Sequence, residues 1–170
     1  TYHLGYMLGP RINAGGRVGK CSHGANLLLD KDPKNTFKLA SELDQYNKER
    51  QILEKDLLQK ILIKTKDYLN DPVLILSGEN WHEGVIGIVA SRLKDKFNKP
   101  IIIISFDGNI GKASARSIAG FDIGSAIIAA AQKKILIKGG GHKMAGGFSI
   151  ETSKIENFKD FLLKRYKNNH

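Results

Sequence analysis

Hydrophobic residues recur along this chain in two different patterns, which meet at Pro72. Before Pro72, an Asp32-Pro33 pair is typical of a helix N-cap followed by proline at the first helical position. Apolar residues then recur at steps of three and four residues or their multiples, at Leu39, Leu43, Tyr46, Leu53, Leu57 and Ile61. We predict one amphipathic helix that ends near residues 70–72 and is about 55 Å long at 1.5 Å per residue. A helix of this length favours a connection between two bodies, and the alternative is a surface helix lying along one core.

After Pro72 the pattern becomes that of an α/β fold. Buried or alternating apolar runs predict strands at 73–76, 101–105, 110–117 and 145–150. Amphipathic or apolar helical patterns predict helices at 83–97, 121–135 and 155–166. Strands alternating with helices indicate a mixed β-sheet covered by helices, so the predicted fold is a long connecting helix followed by an α/β domain.

Composition narrows the class of protein. The longest apolar block, residues 100–104, is far shorter than the ~18 residues of a membrane span, so we expect no membrane partner. A single cysteine, Cys21, excludes a disulfide-rich secreted domain and predicts a cytoplasmic location. The chain begins at Thr1 rather than at Met, so we expect it to be a fragment of a longer protein.

The 170 residues carry a formal net charge of +10, and this charge is unevenly distributed. Residues 1–29 contain three basic side chains and no acidic one, and residues 110–150 contain six basic side chains against Asp122 alone. The predicted helix is nearly balanced. The two acid-poor segments are therefore where a polyanion could dock, although a basic surface without a nucleic-acid partner explains the charge equally well.

The first candidate site is the stretch Gly9-Pro-Arg-Ile-Asn-Ala-Gly-Gly-Arg17. Arg11 and Arg17 flank a glycine pair that brings the backbone close to whatever lies outside, and arginine forms bidentate hydrogen bonds with phosphate. The alternative is a turn with two solvated arginines.

The second candidate follows Gly108. Two residues separate Gly108 from Gly111-Lys112 where a Walker-type phosphate loop has four, so we exclude that motif. Ser114 and Arg116 are two residues apart and share one face of an extended segment, with Ser117 beside them near the end of the strand. A hydroxyl and a guanidinium on one face suit a phosphate, and the alternative is an exposed polar strand face.

The third candidate is Lys138-Gly-Gly-Gly-His-Lys-Met-Ala-Gly-Gly147. Consecutive glycines indicate close approach to a ligand or another chain, and the amides of Gly140 and Gly141 can form an anion-binding nest. His142, next to Lys143, can donate to a phosphate or act on a leaving group, against the alternative of an ordinary surface histidine. In a fourth stretch, around Trp81 to Gly87, we expect His82 to support the start of a helix.

No pattern indicates hydrolytic equipment in this chain. The five histidines and Cys21 lack metal-ligand spacing, no segment concentrates Asp and His as a two-metal nuclease requires, and no Gly-x-Ser-x-Gly motif is present.

Taken in order, the stretches resemble the RecJ-type single-stranded-DNA-specific 5′-to-3′ exonucleases of the DHH phosphoesterase superfamily. The resemblance rests on residues 9–17, 47–51, 81–93, 114–117 and 140–147 and covers essentially the whole chain. Gly-Gly-His alone would indicate only the DHH-associated domain, which also occurs in small-nucleotide phosphodiesterases and alanyl-tRNA synthetases. One departure is Gly146, where the family usually has alanine.

The resemblance implies a division of the chain and of the chemistry. Residues 1–31 would be the end of the metal-binding domain, 32–71 the connecting helix, and 72–170 the DHH-associated, substrate-binding domain. Two Mn²⁺ or Mg²⁺ ions would be held by the missing N-terminal domain of the complete enzyme and none by this fragment, which would then be inactive alone.

The resemblance also implies roles for single residues. Ser114 and Arg116 would contact the phosphates of single-stranded DNA, with a 5′-phosphorylated end preferred. Arg17 and Arg11 would line the path of the strand, and His142 with the amides of Gly140 and Gly141 would face the scissile phosphate. Ser117 and Lys143 complete the predicted DNA contacts, and the enzyme that the resemblance implies would act in DNA repair and recombination. Two alternatives stay open: a phosphodiesterase for cyclic or very short nucleotides, and a non-catalytic nucleic-acid-binding or assembly module.

Overall fold

A computed structural model describes residues 1–65 and 70–168 of the chain. The chain divides into two compact units, Thr1–Asp56 and Leu57–His170, whose boundary falls inside a long helix. Six α-helices lie in the described part: α1 (Gly9–Val18), α2 (Ser22–Leu29), α3 (Pro33–Thr65), α4 (Glu83–Phe97), α5 (Ile123–Gln132) and α6 (Ile155–Asn168). Five strands are described: β1 (Leu74–Glu79), β2 (Ile101–Asp107), β3 (Ile110–Arg116), β4 (Lys138–His142) and β5 (Ala145–Glu151). None of the helices in residues 1–65 and 70–168 combines the length and the apolar character that crossing a bilayer demands.

The first unit opens with helices where the sequence predicts a turn or a ligand loop. A π-helical turn, His3–Leu8, runs into α1, which has Pro10 in its first turn. Gly15 is buried in α1, and a Cβ there would lie 2.6 Å from the backbone oxygen of Lys20. The glycine therefore lets the following chain return close to α1, so the stretch 9–17 is a helix rather than the turn considered as an alternative.

Helix α3 confirms the predicted long amphipathic helix over Pro33–Thr65. Its start is set as expected, because a carboxylate oxygen of Asp32 accepts a hydrogen bond from the backbone amide of Lys34 at 3.2 Å. The sequence predicts that this helix ends near residues 70–72. The segment 66–69, through which the helix would have to continue, lies outside the described residues.

The buried stripe of α3 contains polar side chains as well as leucines. Asn47 and Glu54 are 3% and 2% exposed, between the buried apolar positions. Arg50 joins them, donating to Glu54 Oε2 at 2.6 Å and twice to Asn47 Oδ1 at 3.1 and 3.2 Å. Charge-assisted hydrogen bonds compensate the free-energy cost of removing these groups from water. Hydrophobic periodicity does not reveal such a buried polar cluster.

In the second unit the five strands form one mixed sheet in the order β1-β2-β3-β5-β4. β1 and β2 pair in parallel, whereas the β2/β3, β3/β5 and β4/β5 pairs are antiparallel. The predicted α/β fold with a mixed, helix-covered sheet is confirmed.

Helices pack on both faces of this sheet. On one face the buried side chains of β2, β3 and β5 form a core with residues of α5 and α6, including Phe158 of α6, and with Phe121, which precedes α5. On the other face α4 lies over β2 and β3 and buries Val85, Val89 and Leu93. The part of this second face formed by β5 and β4 is exposed at Lys138, His142 and Gly147.

The glycine-rich segment forms strand β4, the edge strand, which the sequence did not predict. Glycines carry no side chains, so no apolar alternation reveals the strand. Successive amides of a strand point in opposite directions, so the predicted nest at Gly140 and Gly141 was wrong. On the α5 side, Gly139 and Gly146 instead make room for Ile127, whose methyl groups would lie 2.7 and 2.5 Å from added Cβ atoms.

Candidate nucleic-acid interface

We call the exposed part of the sheet face on the α4 side the open face. The register of β3, β5 and β4 places three rows of residues across it. Partners directly opposite in antiparallel strands share a face, and so do residues two apart in one strand. We call the rows by their members: the lysine row (Lys112, Ser149, Lys138), the glycine row (Ser114, Gly147, Gly140) and the histidine row (Arg116, Ala145, His142). The predicted pair Ser114 and Arg116 thus shares a face with Gly140 and His142, although β5 lies between them.

The glycine row forms a floor without side chains. A Cβ at Gly140 would have no heavy atom within 4 Å, and one at Gly147 would have only the backbone oxygen of Ala113, at 3.4 Å. Both positions therefore open to solvent rather than into packing. Since adjacent strands are about 4.8 Å apart, this floor admits a ligand close to the backbone between Ser114 and the sheet edge.

Arg116 is oriented by two elements. Its Nε donates to the hydroxyl of Ser91 on α4 at 3.1 Å, and its Nη1 donates to the backbone oxygen of Ala115 at 2.8 Å. Gly87, one turn before Ser91, leaves room for the guanidinium, since a Cβ there would lie 2.9 Å from Nη2 and 3.0 Å from Ser114 Oγ. The half-buried guanidinium is therefore held in place beside the hydroxyl of Ser114.

His142 lies at the end of β4 and is exposed. Its Nδ1 accepts a hydrogen bond from the backbone amide of Met144 at 3.3 Å, within the two-residue turn that joins β4 to β5. With Nδ1 acting as acceptor, the proton of the neutral imidazole lies on Nε2. Nε2 can therefore donate to a phosphate oxygen at the end of the histidine row.

A cleft of about 530 Å³ lies over the lysine row and reaches the glycine row. Its lining includes Lys112, Lys138, Ser149 and Ser114, together with Glu83 from the first turn of α4. Lys112 Nζ lies 2.7 Å from Glu83 Oε1, and this hydrogen bond and ion pair raise the pKa of Lys112 above its ordinary value. The ammonium group therefore keeps its charge throughout the neutral range.

Two predicted contacts have roles within the fold. Ser117 is 1% exposed, and its hydroxyl donates to the backbone oxygen of Phe121 at 2.7 Å, so we leave it out of the proposed DNA contacts. Gly141 and Gly140 lie on opposite faces of β4. A Cβ at Gly141 would collide with the backbone oxygen of Ala145. The hairpin itself therefore requires glycine at 141.

The other predicted residues lie in three places. Lys143 is exposed in the β4/β5 turn, where its backbone oxygen accepts from the amide of Ile123 at 3.3 Å. Arg11 and Arg17 belong to the first unit: Arg17 is exposed in the last turn of α1, and Arg11 Nε donates to Asp44 at 2.8 Å. His82 caps α4 as predicted, with its Nδ1 accepting from the amide of Gly84 at 3.1 Å.

The sequence did not single out Lys112, Lys138, Ser149 or Gly147 as site residues. Their common face depends on the cross-strand register, which no local pattern encodes. The alternation of Lys112, Ser114 and Arg116 along one strand face could have found Lys112, but not the residues of β4 and β5.

Possible metal ligands are dispersed in this chain. Within residues 1–65 and 70–168, three or more His, Cys, Asp or Glu side chains nowhere come together as a metal site would need. The described residues therefore do not fit a two-metal centre, and we derive no chemical step through one here.

Comparison with known proteins places this site in a family. The model of the DHHA1 domain matches residues 70–168, which include all five strands. The chain belongs to the DHHA1 domain family. Helices α4, α5 and α6, the sheet and the glycine-rich hairpin all lie within the matched DHHA1 region.

Similarity to relatives extends beyond the DHHA1 region. The chain is 35% identical over 162 residues to the single-stranded-DNA-specific exonuclease RecJ of Bacillus subtilis, covering 94% of this chain and 20% of that protein. It is 39% identical over 166 residues to the protein of the same name from Haemophilus influenzae, covering 93% and 28%. The chain therefore spans between a fifth and three-tenths of the length of these curated relatives, and the predicted RecJ-type resemblance is confirmed.

Solved structures agree with this assignment. RecJ from Thermus thermophilus in complex with Mn²⁺ matches with a TM-score of 0.86 at 31% identity, over 98% of this chain and 24% of that one. A manganese-bound exonuclease RecJ matches with a TM-score of 0.84 at 30% identity, over 97% and 41%. The sheet order and helix arrangement of this DHHA1 domain are thus those of solved RecJ structures.

Proposed function

We propose that this chain is the substrate-binding part of a RecJ-type single-stranded-DNA-specific 5′-to-3′ exonuclease, which hydrolyses phosphodiester bonds in DNA repair and recombination. One observation carries the proposal: Ser114, Arg116, Gly140 and His142 share the open face of one sheet. A cytoplasmic location and a single-stranded DNA partner belong to the same proposal.

The open face offers the donors that a phosphate requires. Ser114 provides a hydroxyl, Arg116 a guanidinium held by Ser91, and His142 an imidazole N–H, around a floor that lacks side chains at Gly140 and Gly147. Charge-assisted hydrogen bonds are about twice as strong as neutral ones, so a 5′-terminal phosphate, with its additional negative charge, gains most at Ser114 and Arg116, while His142 faces the scissile phosphate. A preference for 5′-phosphorylated ends follows.

The reaction itself requires the rest of the enzyme in this proposal. Mn²⁺ or Mg²⁺ would be held by the N-terminal domain of the complete protein and would activate the attacking water. The residues described here would position the phosphate and offset its charge, which are separable contributions to catalysis. The chain alone, given Mn²⁺ and single-stranded DNA, should release no nucleotides.

In the first unit, Arg17 and Arg11 are proposed contacts of the DNA strand. Arg17 is exposed in the last turn of α1. Nε of Arg11 donates to Asp44, and its Nη1 donates to the backbone oxygen of Met7 at 2.8 Å. We expect Arg17→Ala and Arg11→Ala each to weaken DNA binding.

Binding of a 3′-labelled, 5′-phosphorylated ten-nucleotide strand, followed by fluorescence anisotropy, tests the proposal. Arg116→Ala and His142→Ala should each weaken binding, whereas Lys96→Ala should not. Lys96 is exposed near the end of α4, about 20 Å along the helix from Glu83 at 1.5 Å per residue.

Two results would contradict the proposal in different ways. Tighter binding of a cyclic dinucleotide than of the ten-nucleotide strand would favour the phosphodiesterase alternative. A stable dimer in light scattering, with DNA binding unchanged by Arg116→Ala and His142→Ala, would favour the assembly module.

A further inference from the structure

The lysine row lies on the same face as the proposed phosphate site but at its far side. Lys112 on β3 and Lys138 on β4 face the same partner on β5, Ser149, from opposite sides. Both lysines are exposed, and Ser149 between them is 8% exposed. Two cations thus flank a hydroxyl across three adjacent strands, about 10 Å from edge to edge at ~4.8 Å between strands.

The lysine row is built into a cleft rather than spread over a convex surface. Both lysines and Ser149 line the cleft of about 530 Å³, whose wall on the α4 side carries Glu83 and Ile86. Glu83 holds the ammonium group of Lys112 at 2.7 Å, with the lysine side chain still 59% exposed. The charged side chains that line the cleft are two lysines and one glutamate, and Asp107, outside the lining, also acts electrostatically on Lys112.

The lysine and histidine rows are separate binding positions for one extended ligand. Lys112 and Arg116 are four residue steps apart along β3, which corresponds to about 14 Å at ~3.4 Å per residue. Between them the side-chain-free floor of Gly140 and Gly147 offers no obstacle. A single phosphate cannot contact both rows, whereas a polymer with repeated phosphates can.

We propose that the lysine row is a second phosphate subsite, which binds an internal phosphodiester of the DNA strand whose 5′ end occupies the histidine row. The inference rests on the proposed function and extends it: the strand runs along β3 and β5 across the glycine floor. Glu83 acts as a positioning residue that holds Lys112 at the rim of the cleft. Its carboxylate repels the phosphate, so it also limits the affinity of this subsite.

A length series of oligonucleotides separates the two subsites. 5′-Phosphorylated thymidine oligonucleotides of one to four nucleotides would be titrated into the ¹⁵N-labelled 170-residue chain, with dissociation constants taken from amide shifts. Arg116→Ala should weaken binding at every length. Lys138→Ala and Lys112→Ala should weaken binding of the four-nucleotide strand by about tenfold or more, the effect of losing one hydrogen bond between charged groups, and change mononucleotide binding less than about twofold.

Two further variants sharpen the test. Glu83→Gln removes the repelling charge and should tighten binding of the four-nucleotide strand while leaving mononucleotide binding unchanged. Lys96→Ala removes an equal positive charge elsewhere on the domain and should match the wild-type chain at every length.

Each outcome decides between the two claims. If oligonucleotides bind but the Lys138→Ala and Lys112→Ala chains behave like Lys96→Ala, or lose the same factor at all lengths, the second subsite is wrong and the proposed function stands. If no oligonucleotide of any length binds, the proposed function and the subsite that rests on it both fail.

Discussion

The hydroxyl of Ser91 on α4 links the helix to Arg116 on β3. It accepts a hydrogen bond from Nε of Arg116 at 3.1 Å and donates one to the backbone oxygen of Gly87 at 3.1 Å. Ser91 therefore fixes the orientation of the guanidinium without standing on the open face itself. Because the donor is already oriented before a ligand binds, binding loses less conformational entropy, which raises the affinity.

We expect Ser91→Ala to weaken binding of a 5′-phosphorylated strand by about two- to tenfold, the value of one ordinary hydrogen bond. The matched control is Ser41→Ala on α3, where the hydroxyl makes the same bond to the backbone oxygen four residues earlier, at 2.9 Å, in the first unit. Fluorescence anisotropy measures both variants. Equal affinities for the Ser91→Ala and Ser41→Ala chains would show that Ser91 does not position Arg116 for DNA.

Gly140 and Gly141 should respond oppositely to alanine. A Cβ at Gly140 meets nothing within 4 Å, so Gly140→Ala should leave the free energy of unfolding unchanged or slightly increased, yet weaken DNA binding by narrowing the floor. A Cβ at Gly141 collides with the backbone oxygen of Ala145, so Gly141→Ala should lower the free energy of unfolding by more than about 1 kcal/mol. Urea denaturation and anisotropy measure the two effects, and a reversed order of stabilities would contradict the described hairpin.

The pKa of Asp44 tests the ion pairs of the first unit. Hydrogen bonds from Lys48 and then Arg11, at 2.9 and 2.8 Å, lower this pKa below its ordinary value of 3.8. Because the folded-state pKa is depressed, the ionised carboxylate stabilises the folded unit above pH 3.8, and this stabilisation is lost as the pH falls through the folded-state pKa.

Carboxyl ¹³C NMR titration measures the pKa of Asp44 directly. Lys48→Ala should raise it towards 3.8, whereas Lys38→Ala, which removes an equal charge elsewhere on α3, should leave it unchanged. A wild-type pKa at or above 3.8, or equal shifts in the two variants, would contradict the described ion pairs.

The elements with apolar side-chain patterns were predictable from the sequence. The predicted helix 83–97 has the bounds of α4, because its apolar face repeats at helical spacing and Asn98 ends it in the left-handed region. Helices α1 and α2 and strand β4 were not predicted. α1 and β4 are rich in glycine, and a residue without a side chain carries no periodicity, whereas α2 spans only eight residues.

The candidate site was only half predictable. Ser114 and Arg116 were found because residues two apart share a strand face, a rule that acts within one strand. Lys138 and Ser149 join them only through the register of three strands, and Ser117 was misassigned because its burial depends on the loop that ends at Phe121. Tertiary pairing therefore decides which polar residues meet a ligand.

The central claim is that charged groups on the open face contact DNA phosphates, and the salt dependence of binding measures this most directly. For a single strand, the slope of log K against log salt concentration has a magnitude of about 0.7 per phosphate contact, so Arg116→Ala should lower it by about that amount. Lys96→Ala, which also removes one positive charge, should leave the slope of the wild-type chain unchanged. Equal slopes for the wild-type, Arg116→Ala and Lys96→Ala chains would contradict phosphate binding on this face.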